Sequence, residues 1–502
     1  MRTISVFIIL IFHLSTAISQ QVKISGNAPD YAGNTLSFHT VDNYISNIET
    51  KIGSCKVSPN GDFQVQLSGT GTKLVYIYLG VYKARFYMEP GFSYRIKLPS
   101  RVDKTPEETA SPFFNEVNVY LSVLEVKDDK GKMITPDKEL NMNIILFDEA
   151  FNPLYDQLAM DAARRKNTHA DSIISSFRKN VNSINRFSDT YINYRVGLLY
   201  YVSQISGVKA ISNAYFAGKP VQYENDAYMD LFNMTYDKYF MYFGRTREGS
   251  EIYDVINKQE SISKLKKLLG EDGILPGDSL LELVILKNIH DEFYSDRFSR
   301  NALLHLLDSV VLETNISYHA TIGRQIRNKI TKLLKGFSPP DFQLYNQDNK
   351  LVSLESYKGK YVYLIFCTTQ NYVCLSQYEL LNKLYQVHGK WLQIVIVSAD
   401  ENFNSMRDYR KKNNYRWDFL HYANDADILE KYDVRIFPTC YLIDPEGKLV
   451  LSPAPAANEN IERALYYELQ SKGLWDEYIR KGLIDDRKRT DKRFELDLNI
   501  PE

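Results

Sequence analysis

Cysteine is scarce in this chain. Its 502 residues include four, Cys55, Cys367, Cys374 and Cys440, and no two of them stand in a Cys-X-X-Cys pair. The eight histidines are scattered and no His-Glu-X-X-His motif is present, so the sequence offers no metal-ligand spacing. A phosphate-cradling glycine loop and a Gly-X-Ser-X-Gly elbow are missing too, and no cofactor is indicated. Nor is there an excess of either charge. With 61 basic residues against 62 acidic ones the net charge is −1, and nothing in the composition points to nucleic acid or an anionic membrane as partner. Beyond the first twenty or so residues no apolar run is long enough to cross a bilayer, so no integral membrane segment is expected.

The chain opens on its own short apolar stretch. Met1-Arg2 is a basic start, Ile4 to Phe12 an apolar core, and Ala17-Ile-Ser19 a small-residue cleavage signal. Residues 1–19 read as a secretory signal peptide, too short for a spanning helix, and the protein is expected to be exported. No cysteine stands at the cleavage point, which speaks against lipid anchoring.

The texture then changes twice, predicting a multidomain chain. Residues 20–101 carry strand-like runs at Val22–Ser25, Thr35–Phe38, Phe63–Leu67, Lys73–Leu79 and Tyr94–Leu98. Glycine turns separate them, with Asn60-Gly61 as the clearest hairpin signal, and an antiparallel β-sandwich is the natural reading. After a polar hinge at Ser100 to Ser111, residues 108–335 are expected to form an all-α domain. Apolar residues recur there at spacings of three and four in Leu146–Phe151, Ile173–Ile184, Tyr191–Ser206, Leu280–Phe293, Leu303–Leu312 and Ile322–Leu334. The region lacks a sustained repeat, which favours a bundle over a solenoid. Its aromatics, among them Tyr194, Tyr228, Phe232, Tyr236, Tyr239, Phe240 and Tyr242, suit a partner surface or a core. At helical spacing the core reading is preferred.

Residues 337–474 alternate between the two periods. An apolar run from Tyr361 to Phe366 breaks into a polar turn and then a helical pattern from Cys374 through Leu384. Leu392–Ser398 reads as a buried strand, and Ser405–Asn413 and Ala426–Tyr432 as helical stretches. Phe437-Pro-Thr-Cys-Tyr-Leu-Ile-Asp444 is a proline-bearing turn that opens a strand, Asp444-Pro-Glu-Gly447 is a tight turn, and Asn460–Gln470 is a closing helix, in the order βαβαββα. The charged residues 475–502 are expected to be a solvated helix or a disordered tail.

Four markers occur here in a particular order: Ser338-Pro-Pro-Asp-Phe342, Val352-Ser-Leu-Glu-Ser-Tyr-Lys-Gly-Lys360, Pro438-Thr439 and Ile443-Asp-Pro-Glu-Gly-Lys448. By these markers the segment resembles the thioredoxin-like domains of the TlpA/ResA type, within the AhpC/TSA group. The resemblance implies an α/β thioredoxin-like fold, descent from thiol-disulfide oxidoreductases and, with the signal peptide, a periplasmic destination. The β-rich region is similar to the domain that often precedes such domains in secreted bacterial proteins. In that family the helix begins with Cys-X-X-Cys, its second cysteine eight residues beyond a strand-ending aromatic. Phe366 stands eight residues before Cys374, so Cys374 takes the second, resolving position and Asn371 the first. Thiol exchange starts with attack by a thiolate, which Asn371 cannot form. Ile365 occupies the place where thioredoxins often carry a buried proton-handling acid, and Tyr372-Val373 replaces the usual Gly-Pro or an acidic substitute. The family's loop matching Phe437-Pro438-Thr439 has a cis proline and contacts the substrate backbone.

Several readings stay open at this point. Cys374 is either a small buried hydrophobe or a low-pKa thiol at a helix N-terminus. Asn371-Tyr-Val-Cys374 is also similar to the Thr-X-X-Cys pattern of thiol peroxidases, although Arg435 is offset from the place of their arginine. Cys367 and Cys440 are expected to be neighbours on adjacent strands, with free thiols favoured. One function is binding of a polypeptide or other envelope partner through Tyr372, Val373, Phe437, Pro438 and Thr439, without disulfide exchange. A second is a divergent thiol oxidoreductase or peroxidase working through Cys374 alone. The third is an assembly protein acting through the helical region.

Overall fold

A computed structural model describes residues 20–105, 108, 114–400, 402–422 and 428–484; the predicted signal peptide and residues 485–502 lie outside them. Two compact units are present, one within Met1–Thr105 and Asn115–Arg327, the other built on Asn328–Glu502.

The first unit begins with β1 (Gln20–Asn27), β2 (Thr35–Asn43), β3 (Ile48–Lys56), β4 (Asp62–Gly69), β5 (Lys73–Leu79), β6 (Tyr82–Met88) and β7 (Ser93–Lys97), followed by β8 (Val117–Tyr120) and β9 (Ser122–Lys127). They form two sheets, ordered β4-β1-β7-β9 and β3-β2-β5-β6-β8. The strands alternate as a one-sided sheet demands. In β4, Phe63, Val65 and Leu67 point inward between exposed polar residues, and they join Val22, Phe38, Ile77, Phe86 and Ile96 in one core.

Two expectations need correction here. Asn60-Gly61 does not close a hairpin: β3 and β4 lie in different sheets, and the turn, tied by Ser58 N to Asp62 O at 2.9 Å, carries the chain across the sandwich. The turn signal is local, whereas pairing depends on strands far away in sequence. The all-α region also starts later than residue 108. Residues 117–127 form β8, parallel to β6, and β9, antiparallel to β7, and the first long helix runs over Leu140–Ala163. These short strands each cover the edge of a sheet, and that remote pairing leaves only a weak alternation in the sequence.

Beyond them, helices follow at Ala170–Lys179, Arg186–Val202, Asp226–Thr235, Asp278–Glu292, Arg300–Glu313 and Ser317–Thr331. The aromatic run supplies their core. Tyr194, Tyr228, Phe232, Tyr236, Tyr239 and Phe240 are all buried while Tyr242 is exposed, and the Tyr194 and Tyr228 rings meet edge to face at 4.7 Å.

The second unit holds a seven-stranded sheet of order β11-β10-β14-β13-β12-β15-β16. Its members are β10 (Gln343–Asn346), β11 (Leu351–Ser353), β12 (Tyr361–Cys367), β13 (Leu392–Ser398), β14 (Asp418–His421), β15 (Thr439–Ile443) and β16 (Leu449–Leu451). β12 and β14 run parallel to β13, and β15 runs antiparallel to β12. The helices Tyr372–His388 and Phe403–Asn413 make the crossovers. Every residue of β12 is buried, which accounts for its unbroken apolar run. The protein is thus multidomain, with a β-rich N-terminal region, a helical middle and a C-terminal α/β thioredoxin-like unit.

Three strands, β10, β11 and β14, add to the expected βαβαββα order; each has only three or four residues, too short for a clear period. The charged tail differs from expectation as well. Residues 475–484 are packed: Trp475 and Ile484 are buried in the unit's core, and Tyr478 meets Trp391 edge to face. Charge density masked three apolar anchors there. Among the described residues, no helix is long and apolar enough to cross a membrane.

Gly61 has φ of +90°, and a Cβ there would stand 2.7 Å from Pro29 N. Gly61→Ala should therefore lower the stability of the first unit by about 1–3 kcal/mol in urea unfolding; an unchanged midpoint would show that the corner tolerates a side chain.

Candidate functional site

The register of the central strands brings the sequence-predicted residues to one end of the C-terminal sheet. Cys367 ends β12 opposite Ser398 of β13, and Phe366 lies opposite Thr439 of β15. The carboxyl ends of β12 and β13 and the start of β15 therefore share one rim, the place where α/β sheets commonly bind ligands. From this rim rise the 368–371 turn, the first turn of the Tyr372–His388 helix and the Phe437-Pro438-Thr439 loop. The Phe437–Pro438 and Ser452–Pro453 peptide bonds are cis.

Asn371 is the N-cap of the helix. Its Oδ1 accepts from the Cys374 backbone N–H at 3.1 Å, while its own N–H donates to Thr368 Oγ1 at 3.1 Å. Asparagine is among the best N-cap residues because its short side-chain oxygen satisfies a helix-end N–H that has no intrahelical partner. Position 371 thus holds a good helix cap.

Cys374 faces inward with 0% exposure, beneath the same first turn. Its neighbours Tyr372 and Val373 project outward, 83% and 46% exposed, and across the rim Ile436 is 72% exposed. Phe437 is half-buried and packs against the cores on both sheet faces. Thr439 donates its hydroxyl to Ile436 O at 2.6 Å, bracing the loop.

Beneath the turn lies an acid that sequence reasoning missed. Asp400, two residues past β13, is buried. Its Oδ1 accepts from Thr369 N at 2.8 Å and Thr369 Oγ1 at 2.9 Å, and its Oδ2 accepts from Ser398 Oγ. His421 Nε2 hydrogen-bonds its backbone carbonyl at 2.8 Å, so His421 is a satisfied core residue. The signal for Asp400 is its position: an acid just beyond the carboxyl end of a parallel strand. Ile365 is buried in the apolar core, on the same sheet face as the three thiols.

All four cysteines are free, and Cys367, Cys374 and Cys440 gather in one apolar cluster. A hydrogen bond from the Cys367 thiol pulls the Cys374 thiol below its ordinary range. Burial opposes this, the Thr368 N–H adds to it, and the nearby Asp400 carboxyl works against it. Burial and the Cys374 sulfur push Cys367 well up, and burial raises Cys440 to about 12. Cys367 and Cys440 share one core cluster, as expected, and Cys374 joins them there. Arg435 is exposed and paired with Asp433 Oδ1 at 2.7 Å. Among the described residues no group of three or more His, Cys, Asp or Glu is arranged to hold a metal ion.

Comparison with known proteins places likenesses on this unit. The model of the AhpC/TSA family matches residues 336–452. The thiol-disulfide oxidoreductase ResA of Bacillus cereus is 27% identical over 124 residues, covering 24% of this chain and 71% of that protein. ResA of Bacillus anthracis is 30% identical over 121 residues, covering 24% of this chain and 69% of that protein. Among solved structures, the thioredoxin domain of a thiol-disulfide oxidoreductase from Bacteroides vulgatus is 25% identical, with a TM-score of 0.25, covering 27% of this chain and 98% of that one.

Removing the cap tests the role of Asn371. Asn371→Ala should cost about 0.5–2 kcal/mol in the unfolding of the C-terminal unit, while Asn371→Asp should stay near wild type; equal stability of all three forms would contradict a capping role.

Proposed function

Through its C-terminal unit this chain belongs to the family of ResA-type thiol-disulfide oxidoreductases, and from that premise we propose that it is an exported, periplasmic binding protein that holds extended polypeptide without exchanging disulfides. The observation that carries this reading is Asn371, whose amide caps the helix at the position where the family places its attacking cysteine. Exchange needs a thiolate that a partner disulfide can approach in line. Cys374 is sealed beneath the first helical turn, with 0% exposure, so exchange through this thiol alone is the weaker reading.

The recognition side supports binding. Tyr372, Val373 and Ile436 expose large apolar side chains around the Pro438 loop. Exposed apolar groups gathered at one rim are a feature of interaction sites, and tyrosine offers a wide contact face with a polar tip. Residues 372–373 and 436–439 would grip an extended segment between them, with Phe437 anchored in the cores below. Export rests on the signal-peptide pattern of residues 1–19.

A fluorescent, unfolded, cysteine-blocked polypeptide serves as the probe. Its affinity, read by anisotropy, should fall about tenfold or more, some 1.4 kcal/mol, in a Tyr372→Ala/Ile436→Asp double variant, and it should be unchanged in Cys374→Ser. Loss of binding in Cys374→Ser alone would contradict a thiol-independent site.

A further inference from the structure

Three helices of the first unit line a cavity of about 380 Å³, a volume in the range that holds small organic molecules. Leu140–Ala163 contributes Asn152 and Tyr155, Arg186–Val202 contributes Arg195 and Leu198, and Asp226–Thr235 contributes Asp230 and Met234. Arg195 is held in place by the protein itself. Its guanidinium carbon lies 4.0 Å from the centre of the Phe151 ring, its Nη2 donates to Asn152 Oδ1 at 3.2 Å, and its Nε stands 3.8 Å from Asp148 Oδ1. Asp148 is in turn buried and accepts from the Tyr120 and Tyr191 hydroxyls at 2.6 and 3.0 Å. These contacts leave Arg195 Nη1 and Asn152 Nδ2 without a hydrogen bond to any described residue.

Asp230 is the opposite case. Its side chain is exposed, and among the described residues it makes neither a hydrogen bond nor an ion pair. Asp226, four residues earlier on the same helix, accepts from Tyr87 Oη at 2.7 Å through Oδ2 and leaves Oδ1 without a partner. Asp230 thus feels two further carboxylates, Asp226 and Asp148, against the two guanidiniums of Arg195 and Arg85. No ion pair joins Arg195 to Asp230, whose carboxylate stays open, so the cavity wall presents a free cationic donor and a free anion side by side.

We propose that this cavity binds a free apolar α-amino acid as its zwitterion. The ligand carboxylate lies on Arg195 Nη1 and Asn152 Nδ2, the ammonium on Asp230, and the side chain against Tyr155, Leu198 and Met234, none of which carries a charge. Charge-assisted hydrogen bonds at both ends give the site its strength. They also give selectivity, because a ligand with one end blocked leaves a charged group of the site unpaired. The surrounding protein strips water from the Asp230 carboxylate and, with the Asp226 and Asp148 charges, raises it to about 6 against the pull of Arg195 and Arg85. Below that pH the carboxylate takes up a proton and the ammonium loses its counter-charge.

Isothermal titration calorimetry on the full chain tests this with three probes: L-leucine, leucinamide and N-acetyl-leucine. Leucine should bind, and each blocked analogue should bind about tenfold or more weakly. Asp230→Asn should weaken leucine by about tenfold or more with an unchanged melting midpoint, since that carboxylate has no partner in the fold. Leucine affinity in the wild type should also fall about fivefold from pH about 7.5 to about 5. Arg195 braces Phe151 and Asp148, so the Asp230 variant and the analogue series are the decisive arms. No heat at about 10 mM leucine, equal binding of either blocked analogue, or full affinity in Asp230→Asn would overturn the assignment. Polypeptide affinity in Asp230→Asn should match the wild type, which separates this site from the rim of the C-terminal unit.

Discussion

The C-terminal unit depends on β12 being satisfied on every side. Its edges are hydrogen-bonded to β13 and β15, and all seven of its residues are buried. A register slip of one residue would exchange its two faces and send Cys367, Ile365 and Tyr363 into the wrong core. With that strand in place, the rim is in place too. The 368–371 turn, Asp400 and the Pro438 loop meet because the strands that carry them end together. None of the sheet's hydrogen bonds runs through the side chain at position 371, so that side chain can vary without loss of the platform.

Position 371 shows how one site serves either purpose. A helix N-terminus favours a thiolate, and it equally favours a side-chain oxygen that takes up its unpaired N–H groups. Asparagine does the second and cannot do the first. Cys374 is buried, and the outward positions, Tyr372 and Val373, are apolar. The Asp400 carboxyl is occupied by Thr369 and Ser398, which ties the turn to β13.

Much of this was legible in the sequence. The unbroken apolar run at 361–366, the proline turn at 437–439 and the helical pattern from Cys374 located the C-terminal sheet, its rim and the helix that starts there. The core reading of the aromatic run in the helical region, which follows helical turns, holds for Tyr194, Tyr228, Phe232, Tyr236, Tyr239 and Phe240 but not for Tyr242. What escaped notice depends on remote partners. β8 and β9 exist because distant edges need covering, Asn60-Gly61 turns between sheets because β3 and β4 pair with other strands, and Trp475 is core because Tyr466 and Tyr478 lie near it. The place of Cys374 in the cluster with Cys367 was hidden for a related reason: strand alternation told which face Cys367 takes, but only the docking of the helix places Cys374 over that face.

The central claim is that the amide at position 371 has replaced disulfide exchange with a helix cap. Reduction of insulin by dithiothreitol, followed by turbidity, tests it most directly when the wild type is run beside Asn371→Cys. The wild type should show no rate above the uncatalysed background, while the variant, with its Cys-X-X-Cys restored, should accelerate the reaction. A wild-type rate equal to that of the variant would contradict the account.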